Sequence, residues 1–207
     1  AGYDSAWGEY RQAYLHARRF IITFKYWPRV QYLDMWTSNP FLDYYLSPLL
    51  MCKMINTLGQ VMADPKYVAD IKPLKSIRGY AFTDHKNRGL VAIWATVDGV
   101  DNGTERGPQM LVKFKGKLPE FIDLMGNKRE VKAENGAVKI QLTSAPLFIR
   151  SEPGTVKDLV AAFHNAQILG ARNVLDVNVL PKVDGSIEAV VSNKTDQKLA
   201  GTIKAAS

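Results

Sequence analysis

The 207-residue sequence has a single cysteine, Cys52, which excludes an intrachain disulfide, so the fold must rest on buried apolar area. Hydrophobic residues make up 46% and aromatic residues 10% of the chain, which is enough to build such a core. No uncharged apolar run approaches the roughly 18 to 20 residues that span a bilayer. The sequence therefore predicts a folded chain without a membrane helix and without a membrane partner.

Several chemical signatures are also missing. There is no glycine-rich phosphate loop and no G-x-S-x-G nucleophile elbow. His16, His85 and His164 are far apart and lack ligand spacing, so a zinc site is not expected. The net charge is +7, but the 27 Lys and Arg are scattered among 20 acids, whereas nucleic-acid binding proteins concentrate basic residues on one face. We expect no cofactor, no metal and no nucleic-acid partner.

Two helices are predicted near the start of the chain. Residues 5–26 have apolar side chains at steps of three and four, and Pro28 ends the pattern. A second helix is predicted over 47–64, with Ser47 as N-cap and Pro48 in the first turn. The first helix carries basic residues between its apolar positions, at Arg11, Arg18 and Lys25.

Between the helices, residues 30–36 (VQYLDMW) predict a buried strand, because they are rich in β-formers, almost uncharged and too short for a helix. Such a strand flanked by helices belongs in a parallel sheet with neighbours on both sides. Unpaired, its buried backbone groups would cost roughly 1 to 3 kcal/mol each. The sequence offers no second strand of this kind, so we expect the neighbours to come from residues absent here or from another chain.

After Pro73 the apolar period changes from 3.6 to 2, which predicts short antiparallel strands and a sandwich or small barrel. The predicted strands are 78–82, 90–97, 109–114, 120–124, 138–142 and 147–150, with turns at 84–89, 98–103, 126–127 and 135–136. A helix at 156–167 follows. Strands at 175–180, 186–191 and 199–203 then predict the start of a further β domain, because three strands bury too little to stand alone.

The predicted class is therefore α/β plus all-β: the terminal part of a (β/α)8 barrel, then an antiparallel β-sandwich and the beginning of another β domain. The corresponding domains are residues 1–72 (helix, strand and helix of the barrel end), 73–153 (β-sandwich), 154–170 (helical connector) and 171–207 (start of the second β domain).

Three local patterns carry a resemblance that covers about residues 5–165. They are YAF at 80–82 with GLVAIWAT at 89–96, EFIDLMGN at 120–127, and VKIQLTSAPLFIR at 138–150. The first resembles paired strands that follow the last barrel helix, the second a strand and turn, and the third a closing hairpin. Together they resemble the C-terminal region of retaining TIM-barrel glycoside hydrolases, in which a β-sandwich packs against the barrel.

The resemblance implies a C-terminal portion of a glycoside hydrolase acting on poly- or oligosaccharide, and an extracellular or periplasmic location. A retaining glycosidase needs an acid and a nucleophilic carboxylate about 5 to 5.5 Å apart. In the resembled barrels these groups end strands four and seven, and neither strand is in this sequence. We therefore assign no catalytic residue here. The partners implied are a carbohydrate substrate and the missing N-terminal barrel portion, or another chain that supplies it.

The candidate substrate-binding residues are Tyr32, Asp34 and Trp36, which alternate onto one face of the predicted strand. Asp34 and Trp36 lie at its C-terminal end, where βα-barrel sites are built. Trp36 could stack on a pyranose ring while Asp34 accepts hydroxyl hydrogen bonds. The alternative is that Trp36 plugs the barrel and Asp34 caps a loop. Acids and aromatics nearby suit either a carbohydrate cleft or interdomain packing: Asp4, Trp7, Asp43, Tyr44 and Tyr45.

Other features suit structural roles better. The acidic stretch 98–105 does not have the spacing of an EF-hand and is typical of a solvated hairpin tip. Lys113, Lys115 and Lys117 alternate along the chain as on the solvent-facing side of a strand. A second function remains open, namely a non-catalytic carbohydrate-binding or structural β-sandwich module whose N-terminal helices dock on a partner.

Overall fold

A computed structural model describes residues 5–26, 48–74, 76–96, 107–169, 175–181 and 186–193. Its helices are α1 (Ser5–Tyr26), α2 (Leu50–Val61) and α3 (Val156–His164). The strands, in chain order, are β1 (Lys66–Ile71), β2 (Ile77–Thr83), β3 (Arg88–Ala95), β4 (Gln109–Lys113), β5 (Glu120–Ile122), β6 (Lys128–Arg129), β7 (Ala133–Glu134), β8 (Ala137–Gln141), β9 (Leu147–Pro153), β10 (Gln167–Leu169), β11 (Leu175–Pro181) and β12 (Ile187–Asn193).

The helix predictions are confirmed in position, but the start of α2 differs. Helix α3 ends at His164 and not at Gln167, which begins β10. Leu49 is the N-cap residue of α2, with an extended backbone (ψ 166°) and no side-chain cap. Pro48 therefore precedes the helix and does not form its first turn, and Ser47 lies outside the described residues. Burial fixes this helix more than capping does, because it places Met54 and Leu58 in the core.

The strands form three antiparallel sheets. The largest has six strands in the order β1-β2-β3-β9-β5-β6, the second has the order β10-β4-β8-β7, and β11 pairs with β12. All pairings within the described residues are antiparallel. The predicted antiparallel character of the chain after residue 73 is confirmed, whereas a barrel portion remains a prediction.

The predicted closing hairpin at 138–150 is wrong. Strand β8 pairs with β4 and β7, whereas β9 pairs with β3 and β5 in the other sheet. Residues 142–146 therefore cross from one sheet to the other. The period-2 pattern identified both strands correctly but carries no information about which sheet each strand joins.

The centre of the six-stranded sheet is buried on both faces, whereas its edge strands β1 and β6 are largely exposed. Along β3, Leu90, Ala92 and Trp94 belong to a core shared with α1 and α2. The alternate residues Val91 and Ile93 belong to a second core, which contains residues of the four-stranded sheet and of α3. Double-sided burial explains why β3 is a continuous apolar run without polar alternation.

Two predicted turns have the backbone geometry that their residues favour. Asn135 (φ 52°) and Gly136 (φ 75°) join β7 to β8, as expected for an Asn-Gly hairpin. In the EFIDLMGN segment, the Asp123 carboxylate accepts the N–H groups of Met125 and Asn127 at 2.9 Å. Gly126 there has φ 81°, and a Cβ would lie 2.9 Å from the Thr57 hydroxyl of α2.

Four described strands were not predicted: β1, β6, β7 and β10. The predicted strand at 199–203 lies outside the described residues. No described helix is long and apolar enough to cross a membrane.

Candidate functional site

The predicted sugar-binding residues Tyr32, Asp34 and Trp36 lie outside the described residues, so their roles remain predictions. The same holds for Asp4 and for residues 43–45, and nothing is described of the Trp7 side chain. What the structure does describe is the helical framework on either side: α1 ends at Tyr26 and α2 begins at Leu50.

Helix α1 lies across one end of the six-stranded sheet. Its Arg18 contacts Ala95, the last residue of β3, and its Lys25 contacts Asp70 of β1, two strands away. The helix is therefore attached to the sheet at two charged points in addition to its apolar face. The periodicity had placed both cations on the polar side of the helix, because a helical wheel cannot show which neighbour a side chain meets.

The first attachment point is the Arg18 guanidinium. Its Nε donates to the Ser144 carbonyl at 2.8 Å, and one terminal nitrogen donates to the carbonyls of Ala95, at 3.0 Å, and of Ser144. The guanidinium carbon also lies 4.9 Å from the ring centre of Tyr14 and 5.8 Å from that of Trp94. Arg18 thus joins α1 to the end of β3 and to the crossover between the sheets.

The second attachment point is an ammonium surrounded by aromatic rings. Lys25 Nζ lies 5.2 to 5.3 Å from three ring centres, those of Tyr26, Tyr67 and Tyr80, a distance within the range of cation–π attraction. It also bonds to Asp70 Oδ1 at 2.7 Å. That hydrogen bond is the main reason that the pKa of Lys25 is raised above its ordinary value.

Asp70 lies at the centre of a cluster that it forms with Lys25, Tyr67 and Lys72. Besides Lys25, its carboxylate accepts the Tyr67 hydroxyl at 2.8 Å and contacts Lys72 Nζ at 2.9 Å. Burial acts to raise the pKa of Asp70, but the hydrogen bonds from Lys25, Lys72 and Tyr67 outweigh it and lower the pKa from 3.8 to about 2. The cluster therefore needs an ionised carboxylate.

Acid should weaken this attachment, and replacement of Asp70 by asparagine should remove the effect. Because the folded-state pKa is depressed, the stabilisation is complete above pH 3.8 and is lost as the pH falls towards 2. We expect D70N to be less stable than the wild type at pH 7 and the difference to shrink between pH 4 and 2. Urea unfolding at a series of pH values measures the difference in stability between the two proteins. Parallel stability curves for the two proteins would contradict the assignment.

A groove runs along α3 on the other side of the molecule, and we call it the α3 groove. It consists of a cleft of about 440 Å³ and a cleft of about 150 Å³, which share Lys115 and Asp158. The larger cleft has the size of a small-molecule site. Strand β4 and the turn after it form one wall, which carries Lys113, Lys115 and Lys117.

The three lysines only partly match the predicted strand face. Lys113 is an exposed residue of β4, as predicted. Lys115 and Lys117 lie beyond the end of β4 and form ion pairs with Asp158, at 3.8 Å, and with Glu152, at 2.8 Å. Among the residues that the structure describes, no three His, Cys, Asp or Glu side chains are grouped as metal ligands. The acidic stretch 98–105 lies outside them.

No protein-family model and no curated protein matches the sequence. Among solved structures, a family 39 glycoside hydrolase from the gut symbiont Bacteroides cellulosilyticus WH2 aligns with a TM-score of 0.54 and 14% identity, over 70% of this chain and 31% of that one. The chain shares its fold with part of a glycoside hydrolase. An Anoxybacillus alpha-amylase aligns with a TM-score of 0.34 and 12% identity, over 57% of this chain and 26% of that one.

The predicted resemblance to glycoside hydrolases is thus confirmed at the level of the fold. The chain spans about a third of the length of the family 39 enzyme.

Proposed function

We propose that the chain is the C-terminal portion of a glycoside hydrolase that acts on a poly- or oligosaccharide. It supplies barrel-closing elements and an accessory β-sandwich, while the catalytic acid and nucleophile lie outside residues 1–207. The observation that carries the proposal is the fold shared with part of a family 39 glycoside hydrolase over 70% of this chain. We also propose an extracellular or periplasmic location for this enzyme.

The packing of the helices supports the proposal that this chain supplies supporting elements and not the catalytic groups. In the proposed enzyme α1 and α2 close a barrel, and in the structure both share a core with the six-stranded sheet. Arg18 and Lys25 hold α1 to that sheet by charged hydrogen bonds. These charged contacts of Arg18 and Lys25 with the sheet, which we call the charged seam of α1, would keep the barrel end and the accessory β region in a fixed relation. Substrate contacts between the two helices would then be held in position.

The proposed substrate contacts are those of the predicted strand. Trp36 would stack on a pyranose ring, Asp34 would accept hydrogen bonds from sugar hydroxyls, and Tyr32 lies on the same strand face by alternation. None of the three is proposed to break the glycosidic bond. Their role is to bind and orient the sugar.

The direct test is Trp36→Ala in the complete polypeptide of the enzyme that this proposal describes. An aromatic stacking contact contributes about 1.4 kcal/mol, so we expect kcat/KM for polysaccharide hydrolysis to fall about tenfold. The measurement is the initial rate of reducing-end release. Asp34→Asn should act in the same direction because the amide replaces a charged acceptor by a neutral one.

Leu15→Ala is the control, because Leu15 is a large apolar residue of α1 with 45% of its surface exposed and takes no part in the Arg18 or Lys25 attachment. Truncation of this side chain should leave kcat/KM within twofold of the wild type. A factor of two corresponds to about 0.4 kcal/mol. Unchanged activity of the Trp36 variant, or an equal loss in both variants, would contradict the proposed role.

The second candidate is a non-catalytic carbohydrate-binding or structural β module. One observation favours it: the described helices and the two larger sheets form two cores from residues of this chain. It predicts carbohydrate binding or partner binding without hydrolysis by the full-length polypeptide, which the same assay distinguishes.

A further inference from the structure

The α3 groove combines polar side chains with a few apolar ones. Its larger cleft, of about 440 Å³, is lined by two lysines, one carboxylate, two side-chain amides and three apolar residues: Lys113, Lys115, Asp158, Asn165, Gln167, Leu111, Ala161 and Ala162. Amides both donate and accept hydrogen bonds, and lysines donate three. Sugar hydroxyls need the same mixture of donors and acceptors.

The cations of the cleft are available to a ligand. Lys113 has no ion-pair partner among the described residues, and it lies on the exposed side of β4. The Lys115–Asp158 pair is long, at 3.8 Å, and its side chains are 85% and 53% exposed. An ion pair of that kind contributes little, so a ligand carboxylate can take the place of Asp158 at small cost.

The formal charge of the larger cleft is positive, since it has two lysines and one aspartate. The smaller cleft continues the groove and adds Lys117, whose partner Glu152 is also exposed. A chain-like ligand with carboxylates at intervals fits this distribution better than a compact anion does, because the cations are spread along the groove.

We propose that the α3 groove binds an oligosaccharide that carries carboxylates, such as a chain of uronate residues. Carboxylates of the ligand pair with Lys113 and Lys115, and its hydroxyls hydrogen-bond to Asn165 and Gln167. The sugar class rests on the proposed function, whereas the preference for acidic sugars comes from the charges of the groove. The groove is separate from the predicted Trp36 site in sequence and adds a second region of contact with the substrate.

The test measures the binding of the chain to polygalacturonate, to neutral dextran and to polyglutamate by affinity electrophoresis and titration calorimetry. The variant is Lys113→Gln combined with Lys115→Gln, which removes two charges while keeping side-chain length. The matched control is Lys53→Gln combined with Lys132→Gln, which removes two charges from exposed lysines outside the groove. Urea unfolding of each variant verifies that the fold is retained.

We expect polygalacturonate to bind more tightly than both dextran and polyglutamate, and added salt to weaken the binding. The double variant should bind it about tenfold more weakly, because hydrogen bonds to charged groups are the stronger class. The control variant Lys53→Gln/Lys132→Gln should bind as the wild type does. Equal binding of polygalacturonate and polyglutamate, equal losses in the two variants, or no binding of polygalacturonate would each overturn the proposal.

The outcome is independent of hydrolysis. Binding of polygalacturonate through Lys113 and Lys115, together with a full-length polypeptide that cleaves no polysaccharide, would support the groove and contradict the proposed function. Hydrolysis by the full-length polypeptide without binding of polygalacturonate in the groove would support the proposed function and contradict the groove proposal.

Discussion

Replacing Trp94 by alanine is expected to lower the free energy of unfolding by about 3 to 5 kcal/mol, the usual cost of truncating a large buried aromatic residue. Trp94 is 1% exposed and lies on the face of β3 that packs against α1 and α2. Its ring centre is 5.8 Å from that of Tyr80 and 5.8 Å from the Arg18 guanidinium carbon. The substitution leaves a cavity in the core and removes the ring beneath Arg18.

Urea unfolding of the two proteins measures this loss. Leu15→Ala is the control, because Leu15 is an apolar residue of α1 that is 45% exposed, and its truncation should change the stability by no more than about 0.5 kcal/mol. A loss below about 1 kcal/mol for the Trp94 variant, the average for any point substitution, would show that the helices do not pack on β3 as described.

Removing the Arg18 side chain is the second large effect. Arg18→Ala eliminates charged hydrogen bonds to the carbonyls of Ala95 and Ser144 and the contacts with the Tyr14 and Trp94 rings. Hydrogen bonds to charged groups contribute about 1.5 to 3 kcal/mol each. Because Arg18 is only partly buried, we expect a total loss of about 3 kcal/mol and not the sum of those bonds.

Arg19→Ala is the matched control, since it removes the same side chain at the next position of α1, where the residue is exposed. It should cost about 0.5 kcal/mol or less. Arg18→Lys should fall between the two, because lysine keeps the charge but lacks the planar fork that reaches two carbonyls. Equal losses for the alanine variants at 18 and 19 would contradict the attachment of α1 through Arg18.

Much of the local structure could be predicted from periodicity. The 3.6-residue pattern predicts α1 and α3, and the period of 2 predicts β4 and β8, because these elements bury one side more than the other. Strand β1 was missed since it lies between two prolines, Pro65 and Pro73, and has charged residues along an edge position of the sheet.

Long-range relations could not be predicted in the same way. Strand β9 pairs with β3 and β5, which lie far from it in sequence, and not with its chain neighbour β8. The α3 groove depends on packing between α3 and the end of β4, about which alternating lysines say nothing. Likewise, helical spacing identified Arg18 as a polar-side residue but could not reveal the carbonyls that it meets across the sheet end.

The candidate site is predicted from strand alternation together with an argument from the class of fold. Asp34 and Trp36 were chosen because βα-barrel sites form at the C-terminal ends of strands, which is an argument from the class of fold. The groove and the charged seam of α1 needed the tertiary structure. The sequence therefore indicates which residue types suit carbohydrate binding, and the structure identifies the groove and the α1 contacts that can be tested by substitution.

The central proposal is that this chain is part of a glycoside hydrolase whose catalytic carboxylates lie outside residues 1–207. The most direct measurement compares reducing-end release from a panel of polysaccharides by the full-length polypeptide and by residues 1–207 alone. The account predicts hydrolysis of at least one polysaccharide by the full-length polypeptide and none above background by residues 1–207. Hydrolysis by residues 1–207 at a comparable rate, or none by either protein, would contradict it.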